Sequence, residues 1–368
     1  MKTIYYIPMM LLALLVSACE RTLEFDPPTI ETDNDMVINA VAVADTSFTV
    51  YLNQAYPVSE SPSMQHMDYQ RSLMVRDDGM VFDYQNDDYH KKTAIQDAQV
   101  EVEVNGQTHY SMVLDKDKLC YTCNYIPTEG DHIRVIVSAG GKELHAVSVV
   151  PDKPRIEIID HEVIPENPYK ELNGLSFGTD TIMRLTCCIY DTGGSKYYRL
   201  RIRGERDSQS GSAVIINGKV SNANVYTYYS MQDIYFSSDP LFSDSRLSSN
   251  FGGWPAGFSN VFDNSLMKGK NYTFIVESPK KEDTWPYKLI EEDPDAKISD
   301  KPRLSPRVMV ELQAISPELY RYLKSMQLYR IIQNDKEAEP VQIYSNVQNG
   351  WGIFGALSYD RHFVEYGE

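Results

Sequence analysis

Val100-Glu101-Val102-Glu103-Val104-Asn105-Gly106 is the stretch of sequence that decides the fold class. Apolar and acidic residues alternate, which is the pattern of a β-strand with one buried face and one solvated face. Asn-Gly follows directly, and both residues tolerate the positive φ angles that a two-residue hairpin turn requires. We therefore predict a β-hairpin whose return strand covers Tyr110–Leu114.

Short strands and turn signals continue on both sides of this hairpin. The other segments rich in β-forming residues are 36–44, 48–52, 133–137 and 144–150. This spacing is typical of an immunoglobulin-like or fibronectin-like sandwich, which we assign to residues 36–152. A polar insert at 57–93 interrupts it, and loops of this length are usually functional or disordered. The methionines and aromatic residues of the insert suit a contact surface, although an insert without a partner fits equally well.

Residues 153–368 are predicted to form a larger all-β domain with one or two short helices. Strands at 181–190 and 196–203 flank the turn Asp191-Thr192-Gly193-Gly194. Ser316-Pro317-Glu318 supplies a helix N-cap, a proline in the first turn and an early acidic residue, so a helix is expected near 317–331. The apolar residues of this helix recur at helical spacing, which indicates core packing. The fold class is therefore mainly β.

The composition excludes two classes of protein. The chain of 368 residues has 52 acidic and 35 basic residues, a net charge of −17, so it lacks the basic surface that nucleic-acid binding needs. The one long apolar stretch begins at residue 4, and there is no second candidate for a membrane span. A polytopic membrane protein is thus excluded, and no nucleic-acid partner is expected.

The N-terminus predicts a lipid anchor. Lys2 precedes an apolar stretch, and Val16-Ser17-Ala18-Cys19 ends it in small residues and a cysteine. This resembles a bacterial lipobox, with residues 1–18 as the signal peptide, cleavage between Ala18 and Cys19, and lipidation of Cys19. An ordinary secretory signal or an uncleaved anchor are the alternatives. Residues 19–35 are expected to form an acidic tether. Acidic residues after the lipidated cysteine favour the cell surface over the periplasmic face of the outer membrane.

No catalytic motif is recognisable, and we expect no metal and no cofactor. Gly-rich phosphate loops, nucleophile elbows and metalloprotease helices are missing. The seven histidines lie far apart in the sequence, although His109, His132 and His145 fall in or beside strands of one domain. Cys120 and Cys123 have the spacing of a redox or zinc motif, but they lie in strand-like sequence and lack a second suitable pair. A link from these two to Cys187 or Cys188 is the less favoured alternative to free thiols.

Two weaker signals are candidate sites. The non-periodic stretch 239–262 is rich in aromatic residues, which suits contacts with sugar, peptide or protein, while a buried hydrophobic plug explains it equally well. Its candidate binding residues are Phe242, Phe251, Trp254, Phe258 and Phe262. Asp180-Thr181-Ile182 resembles the O-glycosylation sequon of exported Bacteroidota proteins, so Thr181 is a possible modification site.

The C-terminal third carries the most specific sequence, Ala338-Glu339-Pro340 leading through Ser345-Asn346 and Asn349-Gly350 to Gly352-Ile353-Phe354-Gly355. It resembles the closing signature of a Bacteroidota outer-membrane lipoprotein family of unknown function. Further matches occur in order at Asn124–Gly130, Asp239-Pro240, Phe262-Asp263-Asn264, Gly269-Lys270-x-Tyr272 and Leu319–Leu323. One departure is Glu337, where the family usually has Phe.

The resemblance implies a lipoprotein that is often encoded beside TonB-dependent receptors, and it supplies no catalytic residues. We therefore expect a non-catalytic binding or accessory component that works with an outer-membrane β-barrel receptor in nutrient uptake. A cell-envelope hydrolase with a dispersed carboxylate site, or a structural or adhesive module, are the alternatives. For the closing signature itself, a final strand that locks the domain explains the glycines without any ligand.

Overall fold

The computed structural model describes residues 35–55, 88–165, 181–194, 196–210, 214–216, 219–221, 224–229, 235–247, 256–279, 307–332 and 341–365. Within these residues, strands dominate and two α-helices occur, α1 (Asp88–Thr93) and α2 (Pro317–Ile332). The prediction of a mainly β fold is confirmed. Neither helix is long and apolar enough to cross a bilayer, and this holds for all the residues described.

The strands fall into two series along the chain. The first series is β1 (Met36–Val43), β2 (Thr49–Gln54), β3 (Gln99–Val104), β4 (Thr108–Ser111), β5 (Val113–Asp115), β6 (Cys120–Thr122), β7 (His132–Ala139) and β8 (Lys142–Val149). The second series is β9 (Ile156–Ile164), β10 (Ile182–Ile189), β11 (Tyr197–Ser210), β12 (Val214–Ile216), β13 (Lys219–Ser221), β14 (Asn224–Tyr229), β15 (Val261–Asp263), β16 (Tyr272–Pro279), β17 (Arg307–Ile315) and β18 (Trp351–Glu365).

One large sheet takes strands from both series. Its order is β14-β11-β17-β18-β1-β2-β6-β5, and β15 pairs with β11 as the ninth strand. Two smaller sheets, β4-β3-β7-β8 and β16-β10-β9, pack against one face of it, and β12 and β13 form a separate hairpin. Helix α2 packs against the other face through Leu319 and Leu323. The described fold is therefore layered, with the large sheet in the middle.

The N-terminal strands form the predicted two-sheet arrangement. Val100, Val102 and Val104 point into a core that also holds residues of β1 and β7, while Glu101 and Glu103 face outward. The Asn105-Gly106 turn has φ angles of 55° and 67°, as the hairpin requires. The alternation in the sequence thus places each side chain on its expected face.

The return strand of this hairpin differs from the prediction. It breaks at Met112, so that β4 pairs with β3 in the small sheet while β5 pairs with β6 in the large one. Met112 is buried, and its backbone N–H donates to the carbonyl of Val100. The chain switches sheets here because burying Met112 between the layers gains apolar contact that a straight strand would leave in solvent.

In the large sheet, the two series of strands are joined by a parallel pair whose members are far apart in the sequence. β1 and β18 pair from Val37 with Trp351 to Val43 with Leu357. Residues 34–368 form one compact unit, and the large sheet runs through both sides of the predicted boundary at 152/153. The division into separate domains at 36–152 and 153–368 stays a prediction.

Several expectations fall on residues outside the described ranges. These are the signal peptide 1–18, the lipidation site Cys19, all of the tether 19–35 except Asp35, and most of the insert 57–93. Only the end of the insert is described, where α1 packs on β2. There His90 Nδ1 lies 2.9 Å from Asn53 Nδ2, and the amide also donates to Thr93 Oγ1 at 2.8 Å.

Candidate functional site

The aromatic loop predicted as a binding site turns its described rings inward. Asp239 caps a single 3-10 turn at Pro240–Phe242, because Asp239 Oδ1 accepts a hydrogen bond from the Leu241 N–H at 2.9 Å. Tyr272 also donates to this oxygen, at 2.8 Å. This turn directs Phe242 into the core between the large sheet and β16-β10-β9.

Phe242, Phe258 and Phe262 are at most 4% exposed, so they form the hydrophobic plug and not a contact surface. The Phe242 ring stacks on Phe258 at 5.7 Å and meets Phe262 edge to face at 5.2 Å. Edge-to-face and offset pairs of this kind add to the stabilisation that burial itself gives. These three rings therefore belong to the core and not to a binding surface. Phe251 and Trp254 lie outside the described residues.

The polar residues of the same loop meet helix α2. Asp244 follows the 3-10 turn, and its Oδ2 lies 2.7 Å from Lys324 Nζ and 2.8 Å from Arg246 Nη2. Burial alone would raise the pKa of Asp244, but the hydrogen bonds from Arg246 and Lys324 outweigh it and hold the pKa well below its usual range. Burial lowers the pKa of Lys324, and the Asp244 carboxylate partly offsets this shift.

The lysine of this ion pair also contacts a buried serine. Lys324 Nζ donates to Ser259 Oγ at 2.9 Å, and the same hydroxyl lies 2.9 Å from Gln327 Oε1. A Ser–Lys pair is the arrangement of some nucleophilic enzymes, in which a neutral lysine accepts the serine proton. Here the ammonium is held by the Asp244 carboxylate, and Ser259 is 1% exposed. The pair therefore joins the loop to the helix and offers no nucleophile to a substrate.

A half-buried pair of tyrosines lies near these polar residues. Tyr197 from β11 and Tyr320 from α2 stack with ring centroids 4.4 Å apart and an angle of 30° between the rings. Burial, followed by the charge of Asp263, raises the pKa of Tyr320. Arg246, whose side chain is 57% exposed, lies near enough for its charge to oppose the rise in the pKa of Tyr320. We call Tyr197, Arg246 and Tyr320 the tyrosine–arginine surface.

Sequence reasoning identified the loop that contributes to this surface but chose other residues in it. Asp244 and Arg246 lie within 239–262 and are not aromatic. Helix α2 was predicted to bury an apolar stripe, whereas its buried residues are Leu319, Leu323, Lys324 and Gln327. The available signal was the pair of polar residues, Lys324 and Gln327, at three-residue spacing on the face that also carries Leu323.

The glycines of the closing signature let two backbones approach each other. A Cβ at Gly352, whose φ is +107°, would lie 2.0 Å from the carbonyl oxygen of Ile38 on β1. A Cβ at Gly355 would lie 2.8 Å from Cβ of Leu319 on α2. Asn346 spans the turn before the strand, since its Nδ2 donates to the Phe354 carbonyl at 2.8 Å and its Oδ1 accepts the Phe354 N–H at 3.0 Å. The signature therefore fixes β18 in place.

Two residues of the other family matches, Asn264 and Gly269, fix a loop to a turn. Asp191 is buried, and its carboxylate accepts hydrogen bonds from the Gly269 N–H at 2.8 Å and from Asn264 Nδ2 at 3.1 Å. Asn264 Oδ1 accepts the Lys196 N–H at 3.0 Å. These bonds hold the turn after β10 against the loop before β16. Buried polar groups need hydrogen-bond partners, so these bonds have a structural role.

The remaining candidate residues do not converge. Among the described residues, no group of three or more His, Cys, Asp or Glu side chains could hold a metal ion. In the small sheet, His109 lies opposite Glu103, His132 opposite Val149 and His145 opposite Ile136. The thiols of Cys120, Cys123, Cys187 and Cys188 are all free.

Thr181 precedes β10, and its hydroxyl oxygen is buried. A glycan at this oxygen would require the segment to open, and the modification stays a prediction.

Comparisons with known proteins identify a family but no activity. No curated protein matches the chain. A solved structure from Corynebacterium diphtheriae, "Putative membrane anchored protein", is similar at 8% identity with a TM-score of 0.19. The alignment covers 77% of this chain and 55% of that one, and a similarity of this degree carries no argument about fold or function. A family model matches residues 22–362, and the chain therefore belongs to the family described as Domain of unknown function (DUF4249).

Proposed function

We propose that the chain is a lipoprotein anchored in the outer membrane through Cys19 and exposed at the cell surface. In this proposal it is a non-catalytic binding or accessory component that acts with a TonB-dependent receptor in nutrient uptake. The lipobox-like sequence supports the anchor, and two or more acyl chains give stable membrane binding. The resemblance to lipoproteins encoded beside such receptors supports the partner.

The observation that carries the binding role is the tyrosine–arginine surface. Tyrosine and arginine are the residue types that dominate the binding energy of protein interfaces, because each combines a large rigid area with hydrogen-bonding groups. Tyr197 and Tyr320 hold each other by stacking, so little side-chain entropy remains to be lost on binding. Arg246 is fixed by its bidentate contact with Asp244.

The geometry of the buried polar groups favours binding over catalysis. Ser259 and Lys324 resemble a nucleophile and its base, and both residues are buried. Glu311, another buried carboxylate, is held by Arg361 Nε at 2.7 Å and by Gln313 Nε2 at 2.7 Å. Each of these groups is already hydrogen-bonded within the fold, which supports a non-catalytic role.

Purification from native membranes tests the proposed partnership. The tagged full chain should recover a large β-barrel protein, and Arg246→Ala combined with Tyr320→Ala should lower the recovery roughly tenfold or more, as expected for hot-spot residues. Tyr110→Ala is the matched control, because Tyr110 is a half-buried ring stacked on Tyr125 in the small sheet. Unchanged recovery with the double variant would remove the tyrosine–arginine surface from the proposal, and repeated absence of a barrel protein would remove the receptor.

The competing function is a cell-envelope hydrolase. Screening the purified chain against glycans and peptides separates the two, with Ser259→Ala and Glu311→Gln as diagnostic variants. Turnover that either variant abolishes while the fold is retained would overturn the non-catalytic role.

A further inference from the structure

Four segments of the chain meet around Asp35, at one end of the fold. Asp35 is the last residue of the expected tether, and its Oδ2 accepts a hydrogen bond from Trp351 Nε1 at 3.1 Å. Its Oδ1 lies 3.6 Å from Lys142 Nζ. Its carbonyl oxygen accepts the Ala55 N–H at 2.6 Å. The entry of the chain, the start of β18, the start of β8 and the end of β2 therefore meet here. We call Asp35, Lys142 and Trp351 the tether end.

Trp351 presents an apolar ring at the tether end. Its side chain is 49% exposed, although its only polar group is already bonded to Asp35. The outward part of the residue is thus aromatic surface with no hydrogen-bonding requirement. An indole of this kind favours the headgroup layer of a bilayer, where one part of the ring meets apolar material and another meets water.

The length of the tether limits how far this end can lie from an anchor at Cys19. A flexible chain of sixteen residues, the number from 19 to 34, spans about 20–24 Å on average and reaches about 53–58 Å when fully extended. The opposite end of β18 lies much farther away, because the twelve-residue step from Trp351 to Phe363 covers about 40 Å of strand. At the average span of the tether, the tether end lies nearer than the Phe363 end to an anchor at Cys19.

We propose that the tether end faces the lipid bilayer and that the Trp351 ring contacts its headgroup layer. This inference rests on the proposed lipidation of Cys19. The described residues on either side of the insert lie at the same end, since the Ala55 N–H donates to the Asp35 carbonyl and Ala94 bridges to Asn53.

Fluorescence quenching by brominated lipids tests the orientation. The lipidated full chain is placed on phosphatidylcholine vesicles with Trp254→Phe and Trp285→Phe, which leaves Trp351 as the single tryptophan of the three. The control chain also carries Trp351→Phe and, in addition, Phe363→Trp. Phe363 is 39% exposed, close to the value for Trp351, so the two reporters start from similar exposure. Co-flotation with the vesicles is measured first for both chains.

The expected result is a loss of Trp351 emission on brominated vesicles, with little change for the reporter at 363. If both chains float with the vesicles and neither or both are quenched, the orientation is overturned while the anchor stands. If neither chain floats, the anchor itself is overturned. Should the tryptophan substitutions unfold the chain, hydrogen exchange of the unsubstituted lipidated chain replaces the fluorescence. Protection by vesicles around Trp351, but not around Phe363, is then expected, and equal protection would refute the proposal.

Discussion

Replacing Gly352 with alanine is expected to lower the free energy of unfolding by about 2–6 kcal/mol. A non-glycine residue at φ +107° is strained by about 1–3 kcal/mol. The added methyl group would also lie 2.0 Å from the Ile38 carbonyl oxygen, and that oxygen belongs to the backbone of β1. Because no side chain can rotate away, the strands must separate, and overpacking of this kind costs about 1–3 kcal/mol more.

Denaturant unfolding followed by circular dichroism measures this loss. Gly193→Ala is the matched control, because Gly193 has φ +82° and a Cβ there would meet no atom within 4 Å. The control therefore carries the backbone strain without the close approach of two strands. We expect Gly352→Ala to unfold at a clearly lower denaturant concentration than Gly193→Ala, with an unchanged slope. Equal losses for the two variants would refute the close contact between β1 and β18.

Three further predictions concern buried groups. Lys324→Met should cost about 1.5–3 kcal/mol, since it removes one charged hydrogen bond from the buried Asp244 carboxylate, which keeps its contact with Arg246. The half-exposed Lys142→Met should cost less than about 1 kcal/mol, and similar losses in thermal unfolding would contradict the ranking. Because the pKa of Asp244 is lowered in the fold, its stabilisation is complete above its unfolded pKa of about 4 and is lost as the pH falls below it, so Asp244→Asn should flatten the dependence of unfolding free energy on pH in that range. Burial raises the pKa of the Cys187 thiol to about 12, so alkylation at pH 8 should spare Cys187 until the chain is unfolded, and rapid labelling of the native protein would show that the site is open.

Local pattern was sufficient to predict most of the described strands, although not β9, and it did not predict the sheets to which they belong. The alternation around Val102 and the Asn105-Gly106 turn depend on neighbouring residues, so the hairpin is readable from the sequence. The pairing of β1 with β18 depends on contacts between opposite ends of the chain, and no local signal specifies the partner. The close approach at Gly352 was visible only as a cluster of glycines, whose partner strand the sequence does not name.

The candidate site could also be predicted only in part from the sequence. The loop 239–262 was recognisable by its aromatic residues, yet buried aromatics and exposed aromatics have the same composition. The environment of Phe242 decides between them, and that environment is built by β11, β16 and β17. Likewise, Lys324 is an ordinary helix surface residue by its type. Only the loop that brings Asp244 within 2.7 Å of its ammonium makes burial of the lysine tolerable.

The parallel pairing of β1 with β18 has a consequence for the order of folding. Among the described strands, β1 is the first to emerge during synthesis and β18 is the last. The middle of the large sheet therefore stays open, with the edges of β1 and β17 unsatisfied, until nearly the whole chain is available. Closure of such a long loop slows folding, because its entropy must be lost before the strand contacts form. The large sheet of such a chain is complete only once β18 has been made, and any truncation before Trp351 leaves two central strand edges open to aggregation.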